Sequence, residues 1–158
     1  MNGDAGSLHE NESQRQPALR SCDTQTMTHS RHPLKVRRLL PSDVGFIEQL
    51  RALAGWNQTR EDLLCLIDYE PEGCFLAEWD GTSAGVATTT SFGTDLAWIG
   101  KMLVHPEFRR RGIGTELMRR CDEHLERKGI RCIKLDASDA GKPVYERLDF
   151  QAEYKVQR

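Results

Sequence analysis

The chain has 158 residues, of which 38% are hydrophobic and 29% charged, and its formal net charge is −2. These values predict one globular domain and exclude an overall charge that would draw the chain to nucleic acid. The longest apolar runs are too short to span a membrane, and the N-terminus lacks the apolar core of a signal peptide. We therefore predict a cytoplasmic protein, with no membrane or nucleic-acid partner, as a monomer or homodimer.

The first 33 residues are polar and show no periodicity, which predicts a disordered N-terminal tail over residues 1–33 and a folded domain over 34–158. Met27 lies just before the folded part and is an alternative start of the protein. The five cysteines form no C-x-x-C pair. We interpret them as small, reduced core residues, with Cys121 on an apolar helix stripe and Cys132 in an apolar strand.

A strand and two helices are predicted first. The strand runs from Leu34 to Leu40, and Ser42 or Asp43 is placed to cap the helix that follows. Thr59 is expected to cap a second helix, with Asp62 completing a loose capping box. The predicted apolar stripe of the first helix contains Val44, Ile47, Leu50, Leu53 and Ala54.

The rest of the chain alternates between strands and helices. Asp80-Gly81 is a strong hairpin signal between strands Cys74–Trp79 and Ser83–Phe92. The short apolar run Leu96–Val104, bounded by polar residues, fits a buried strand. The remaining predicted elements are a helix from Ile113 to Lys128, a strand from Ile130 to Ala137, a short helix capped by Ser138-Asp139, and a last strand from Phe150 to Val156. The order β-α-α-β-β-β-α-β-α-β predicts a mixed α/β sheet with helices on both faces.

A basic turn containing two glycines separates the strand Leu96–Val104 from the long helix. Arg109, Arg110 and Arg111 run into Gly112-Ile113-Gly114. Helix N-termini carry unpaired N–H groups and a partial positive charge, and glycine lets a ligand approach the backbone closely. The turn therefore predicts a phosphate or pyrophosphate site. It fits neither a Walker loop nor a dinucleotide fingerprint, and the alternative is an arginine-rich turn that caps an ordinary helix.

The motif R-x-x-G-x-G from Arg109 to Gly114, behind V-H-P-E-F, resembles the coenzyme A signature of the GNAT superfamily, the GCN5-related N-acetyltransferases. The resemblance covers about residues 34–158. It implies the GNAT fold, a mixed, mostly antiparallel sheet with a V-shaped splay between central strands, and acetyl-CoA as co-substrate. The histidines show no ligand spacing, so no metal is predicted. The implied coenzyme-binding residues are Met102, Leu103 and Val104 for the pantetheine arm, Arg109, Arg110, Arg111, Gly112, Ile113, Gly114 and Thr115 for the pyrophosphate, and Ser138.

A second family motif lies near the C-terminus, where residues 143–150 resemble the family's Y-E-K-L-G-F. The resemblance implies that the hydroxyl of Tyr145 protonates the coenzyme A thiolate as it leaves; the alternative is a core aromatic on an apolar helix face. Two positions depart from the family. Ser138 stands where an asparagine is frequent, and Asp149 replaces a glycine, although aspartate tolerates the left-handed region.

No general base is predicted. Histone-modifying members of the family carry a glutamate where Trp98 stands here, and Asp95, Glu78 and Asp136 are candidates by residue type only. Lys101 interrupts the apolar strand; it is expected either to line the cleft or to snorkel from the strand's end.

The family places its acceptor site at the loop between the first two helices. Trp56 and Asn57 of this loop suit a small ligand, and Trp56 suits a hydrophobic plug equally well. The sequence thus predicts an acetyl-CoA-dependent N-acetyltransferase that acts directly on a primary amine, with a small molecule or peptide as acceptor. The alternatives are an acyl-CoA-binding sensor module that does not turn over, and the first half of a longer two-domain acyltransferase.

Overall fold

The structure is a computed structural model that describes residues 33–155. The predicted tail up to residue 32, Met27 included, lies outside the described residues. The strands are β1 (Leu34–Arg38), β2 (Cys74–Trp79), β3 (Thr82–Phe92), β4 (Leu96–Val104) and β5 (Cys132–Leu135). The helices are α1 (Val44–Leu53), α2 (Arg60–Tyr69), α3 (Ile113–Arg127) and α4 (Lys142–Glu146), with 3-10 turns at Pro41–Asp43 and Pro106–Phe108. Within residues 33–155, the helices are too short or too polar to cross a bilayer.

The five strands form one sheet in the order in which they occur along the chain. The first four pair as antiparallel neighbours, and β4 and β5 pair in parallel. The return from β4 to β5 needs a crossover, and α3 supplies it. The mixed, mostly antiparallel α/β sheet predicted from the sequence is confirmed.

Helices cover both faces of this sheet, because apolar side chains alternate along its strands. On one face, α1 and α2 contribute Val44, Ile47, Leu50, Leu63 and Ile67 to a core shared with Leu76 and Val86. On the other face, the stripe of α3 packs on Phe75, Ala77, Ala87, Ala97 and Ile99, and Tyr145 of α4 joins it. The predicted stripe members of α3, which recur every fourth residue, are all buried: Ile113, Leu117, Cys121 and Leu125.

Two local signals are confirmed by backbone geometry. The hydroxyl oxygen of Thr59 accepts a hydrogen bond from the backbone N–H of Asp62, whose carboxylate accepts one from the N–H of Thr59. Asp80 and Gly81 form the β2–β3 turn with φ angles of 48° and 80°, the left-handed pair that a tight hairpin requires.

Several boundary predictions were wrong. The first strand ends at Arg38, two residues early, because Leu39 turns into the core under α2. Leu53 is 60% exposed and Ala54, which follows the last residue of α1, is exposed as well, so neither belongs to the buried stripe of this helix. The fourth helix is capped at Gly141, and the hydroxyl of Ser138 accepts a hydrogen bond from that residue's N–H at 3.2 Å. The strand predicted from Ile130 to Ala137 is shorter in the structure, where β5 covers only Cys132–Leu135. Cys65 and Cys132 are exposed, so they are not the core residues that were predicted.

The predicted last strand is absent from the described residues, which run to Lys155. Phe150 packs against the core, but the residues after it are exposed, and Tyr154 is 70% exposed. Lys134 of β5 donates a hydrogen bond to Glu153 at 2.6 Å. Side-chain alternation alone does not make a strand, because a strand also needs a ladder of backbone hydrogen bonds.

Candidate active site

The sheet opens a wedge between its two parallel strands. β4 pairs with β5 only from Leu96 to Ile99, against Cys132–Leu135. Beyond Ile99, β4 continues for five residues to Val104, and there its printed pairing is with β3 alone. In the described part of the chain, one edge of the second half of β4 therefore faces the wedge with its backbone groups.

A β-bulge sits where the wedge begins. Val86 and Thr88 are two residues apart on β3, yet their partners on β4, Leu103 and Gly100, are three apart. Lys101 takes up the extra residue with a left-handed φ of 47°. An inserted residue reverses which face the following side chains point to. Met102 and Val104 consequently pack on the α3 side of the sheet, as Ala97 and Ile99 do before the bulge.

The hydrogen-bond pattern decides which backbone groups of β4 point into the wedge. His105 donates its N–H to the carbonyl of Ala84 at 2.8 Å. Because opposed residues in an antiparallel pair alternate between bonded and non-bonded positions, Leu103 directs its N–H and carbonyl toward β3, whereas Val104 directs its own away from β3. The Nε of Arg109 donates to the Val104 carbonyl at 3.3 Å, on that side.

The basic turn ends the wedge. Arg110 and Gly112 are both left-handed, with φ of 62° and 78°, and they flank Arg111. Such alternation gathers successive N–H groups into an anion-binding concavity. Gly112 is the N-cap of α3 and so offers no side chain to the N–H groups of the first helical turn, which include those of Ile113, Gly114 and Thr115.

The two glycines leave room in front of those N–H groups. A Cβ built on Gly112 would meet nothing within 4 Å, and one on Gly114 would meet only Cγ2 of Val104, at 3.9 Å. Packing within the protein therefore does not demand glycine at position 114. A ligand that approaches the helix N-terminus would demand it.

The three arginines have different surroundings. The guanidinium of Arg111 lies 5.1 Å from the ring centroid of Trp79 and 5.6 Å from that of Phe108. Arg109 donates a hydrogen bond to the backbone of β4, and Arg110 is exposed in the turn. Sequence reasoning missed Trp79, because nothing local to β2 indicates a contact with a turn more than thirty residues later.

Tyr145 and Ser138 follow β5 in the chain and lie close together, because a Cβ on Gly141 would be 3.1 Å from Cε2 of Tyr145 and 3.4 Å from the hydroxyl oxygen of Ser138. The ring of Tyr145 is buried beside Phe150, with 6.2 Å between ring centroids. Burial, and then the nearby Cys121, raises the pKa of its hydroxyl above the ordinary value of 10. Asp149 holds a left-handed φ of 64° after α4, as expected for a residue that replaces a glycine.

The other face of β4 carries the residues of the predicted acceptor side. The Nζ of Lys101 lies 5.4 Å from the ring centroid of Trp56, in the loop between α1 and α2. Arg51 fixes this loop by donating to the Trp56 carbonyl at 2.8 Å. Trp56 is half-buried against Lys101, and Asn57, the next residue of the loop, is exposed.

Two of the carboxylates considered as bases already have cationic partners. Asp95 accepts hydrogen bonds from Arg131 at 3.0 and 2.5 Å, and Glu78 accepts one from Arg37 at 2.8 Å. Among residues 33–155, no group of three or more His, Cys, Asp or Glu side chains is arranged to hold a metal ion.

The sequence pattern of one family matches this arrangement over most of the chain. The model of the Acetyltransferase (GNAT) family matches residues 43–150. The chain belongs to this family. An acetyltransferase of Yersinia pestis (strain Pestoides F) is 29% identical over 113 residues, which are 67% of this chain and 77% of that protein.

Solved structures give the same result for the fold. A protein of Pyrococcus horikoshii, assigned as an acetyltransferase, superposes with a TM-score of 0.68 at 27% identity and covers 92% of this chain. This chain spans about half, 48%, of the Pyrococcus protein. A predicted acetyltransferase of Clostridium acetobutylicum, crystallised with acetyl-CoA, superposes with a TM-score of 0.63 at 19% identity, and covers 79% of this chain and 96% of its own. The GNAT fold is thereby confirmed.

Proposed function

We propose that the chain is an acetyl-CoA-dependent N-acetyltransferase that transfers the acetyl group directly to a primary amine. The observation that carries this proposal is the meeting of the open edge of β4 with the glycine-capped N-terminus of α3, at Val104 and Gly114. A pantetheine arm would bond the outward-facing backbone of Val104 as an added strand does. The pyrophosphate would lie on the N–H groups that follow Arg110.

The transfer itself needs few side chains. The amine nitrogen attacks the thioester carbonyl carbon, the new C–N bond forms, and the C–S bond breaks. The departing thiolate takes its proton from the hydroxyl of Tyr145, the surplus proton of the amine leaves to solvent, and solvent returns a proton to the Tyr145 phenolate. The Tyr145 hydroxyl, whose pKa is raised by burial above the ordinary value of 10, carries its proton at neutral pH, as a general acid must.

We propose that the acceptor enters as a free amine, without a side-chain base. The indole of Trp98 is a donor only and cannot take a proton from an ammonium. The coenzyme set would be Met102, Val104, the turn from Arg109 to Thr115, and Ser138, with Leu103 contributing through its side chain only. Trp56 and Asn57 would contact the acceptor.

A non-catalytic acyl-CoA-binding module is the second candidate. The burial of the Tyr145 ring favours it, because the ring can be explained by core packing alone. The partial coverage of the Pyrococcus protein supports a further proposal, that residues 34–158 form one domain of a longer acyltransferase. We also propose a cytoplasmic location, supported by free thiols at Cys74 and Cys121.

The binding part of the proposal is tested by Gly114→Val, with Gly45→Val as matched control. Both glycines lie in helices, and a Cβ at either position meets no protein atom closer than 3.9 Å. Only the Gly114 variant should bring its side chain against a bound phosphate. Calorimetry with coenzyme A should show binding weakened by at least about tenfold, the loss of one charge-assisted hydrogen bond. Wild-type affinity in Gly114→Val would contradict the assignment.

Turnover separates the enzyme from the binding module. Labelled acetyl-CoA is incubated with the protein and a mixed library of amines, and acetylated products are identified by mass spectrometry. The enzyme should release coenzyme A only when an amine is present. Binding of acetyl-CoA with no product from any amine would favour the module.

A further inference from the structure

Lys101 adopts a backbone conformation that its residue type does not favour. Its φ of 47° is left-handed, and L residues with a side chain adopt that region at an energetic cost. Strained residues of this kind concentrate at ligand sites. The bulge aims the Lys101 side chain at the α1–α2 face of the sheet, where its ammonium lies over the ring of Trp56.

Gly100 separates Lys101 from Trp98 along β4. A Cβ on Gly100 would lie 3.4 Å from the hydroxyl oxygen of Thr88 and 4.0 Å from Cδ1 of Trp98. Gly100 therefore places no side chain between Lys101 and the indole of Trp98. Two indoles, of Trp56 and Trp98, and one cation thus occur around this part of β4.

The start of α2 contributes a negative charge to the same surroundings. The pKa of Asp62 is lowered, mainly by the hydrogen bonds it shares with Thr59 and also by the charge of Lys101. Asp62 is exposed and is already the acceptor in the capping box. The ammonium of Lys101 therefore lies over Trp56 and interacts electrostatically with Asp62 at the N-terminus of α2.

We propose that Lys101 recognises an anionic group on the acceptor, so that the acceptors of this chain are amines that also carry a carboxylate. The inference rests on the proposed acetyltransferase function and names its substrate class. A single lysine is a point charge with three donors, which suits one carboxylate; phosphate is usually held by several cations or N–H groups. The tryptophans on either side suit an apolar or aromatic side chain on the same acceptor.

Two other roles for Lys101 make different predictions. In the first, the lysine only holds the α1–α2 loop in place through its contact with Trp56. In that case its replacement should disorder the loop and weaken the binding and acetylation of every acceptor to the same extent. If its charge acts on the amine by disfavouring the ammonium form, replacement should affect acceptors with and without a carboxylate alike. Only carboxylate recognition predicts a loss confined to acids.

The test uses matched pairs of probes, L-amino acids and their carboxamides, which share the amine and the side chain. The variants are Lys101→Met, Lys101→Arg and, as control, Lys35→Met, which removes an exposed lysine from β1 at the far edge of the sheet. Acetylation is measured as kcat/KM. Binding of each probe to the protein saturated with coenzyme A is measured by calorimetry.

In the wild type, the preferred amino acid should have a kcat/KM and a binding affinity about tenfold or more higher than those of its carboxamide. One hydrogen bond between charged groups predicts a difference of this size. Lys101→Met should abolish this preference and leave the carboxamide within about twofold. Lys101→Arg and Lys35→Met should retain it. No preference in the wild type across the panel, or an equal loss for acid and amide in Lys101→Met, overturns the inference.

The two measurements also separate this inference from the proposed function. Acetylation of amines without any preference for acids would leave the transferase proposal in place and remove the role of Lys101. A binding preference that depends on Lys101, with no acetylation of any probe, would support the anionic site and count against the transferase.

Discussion

Glu70 is the most heavily bonded buried carboxylate in the described part of the chain, and its replacement by glutamine should destabilise the protein markedly. One oxygen accepts a hydrogen bond from the N–H of Ser91 at 2.6 Å. The other accepts from the Ser91 hydroxyl at 2.9 Å and Lys128 at 2.6 Å, and lies 2.7 Å from Nε2 of His124. Since an ionised carboxylate only accepts, this His124 nitrogen must be the donor. The cluster joins the end of α2 to β3 and to α3.

The magnitude follows from the charge. Glu70 is 5% exposed, and burial by itself raises the pKa of its carboxyl. The hydrogen bonds from Lys128, His124 and Ser91 outweigh burial and lower that pKa from 4.5 to about 2. At 1.36 kcal/mol for each pKa unit, the ionised form is favoured by roughly 3 kcal/mol in the folded protein. Part of this belongs to Lys128, whose side chain is 39% exposed and therefore screened.

Glutamine cannot restore these bonds in either orientation. If its oxygen faces the three donors, its NH₂ meets the N–H of Ser91; if it is flipped, its NH₂ meets His124 and Lys128. We therefore expect Glu70→Gln to lower the free energy of unfolding at pH 7 by about 2–4 kcal/mol. This is slightly less than the usual cost of about 3–5 kcal/mol for breaking a buried ion pair, because Lys128 is partly exposed. Urea titration followed by circular dichroism measures the loss. Glu72→Gln, which makes the same change at an exposed site, is the control.

The difference should also depend on pH in one direction. The folded-state pKa of Glu70 lies below the unfolded value, so its contribution is present above about pH 4.5 and is lost as pH falls toward about 2. The difference in free energy of unfolding between wild type and Glu70→Gln should accordingly become smaller below about pH 4.5. A loss under about 1 kcal/mol at pH 7, or a gap that stays constant from neutral pH to about pH 3, would refute this account.

Two further predictions use single-group changes. Gly73→Ala places a Cβ 1.9 Å from the buried hydroxyl oxygen of Thr89 and 2.9 Å from Nε2 of His124, and should destabilise by about 1–3 kcal/mol in the same urea assay. Gly45→Ala, which meets nothing within 4 Å, should instead be neutral or stabilise by up to about 1 kcal/mol; equal effects in the two variants would be evidence against the packing argument. Tyr145→Phe should lower kcat by about tenfold or more and leave the KM for acetyl-CoA and the stability nearly unchanged. Lost stability with intact rate would assign the hydroxyl to the core.

What the sequence predicted well was local. The stripe of α3, the Thr59 capping box and the Asp80-Gly81 turn each depend on residues within a few positions of one another, and all three are confirmed. The order of strand, basic glycine turn and helix is local in the same sense, because the glycines and arginines of the turn are contiguous, whereas the binding of coenzyme by this turn stays a prediction. Because neighbouring residues specify each of these elements, the order of strand, turn and helix follows from the sequence without any tertiary contact.

What the sequence could not predict depends on distant partners. Glu70 reads as the end of an amphipathic helix, and its partners His124 and Lys128 are 54 and 58 residues away. The contact between Arg111 and Trp79 is of the same kind. The prediction of a last strand was wrong because a strand is defined by backbone pairing with a neighbouring strand, and the residues of a single segment do not specify that pairing.

The bulge at Lys101 links both kinds of information. In the sequence, a lysine in an apolar strand appears only as an interruption. In the structure, the extra residue keeps Met102 and Val104 on the α3 side and sends the lysine to the opposite face, over Trp56. One inserted residue thus separates the α3 side of β4, which carries Met102 and Val104 of the proposed coenzyme site, from the face that carries the proposed acceptor contact. In the proposed direct transfer the amine and acetyl-CoA approach each other from different directions, and the change of face at Lys101 is consistent with two such directions at adjacent residues of β4.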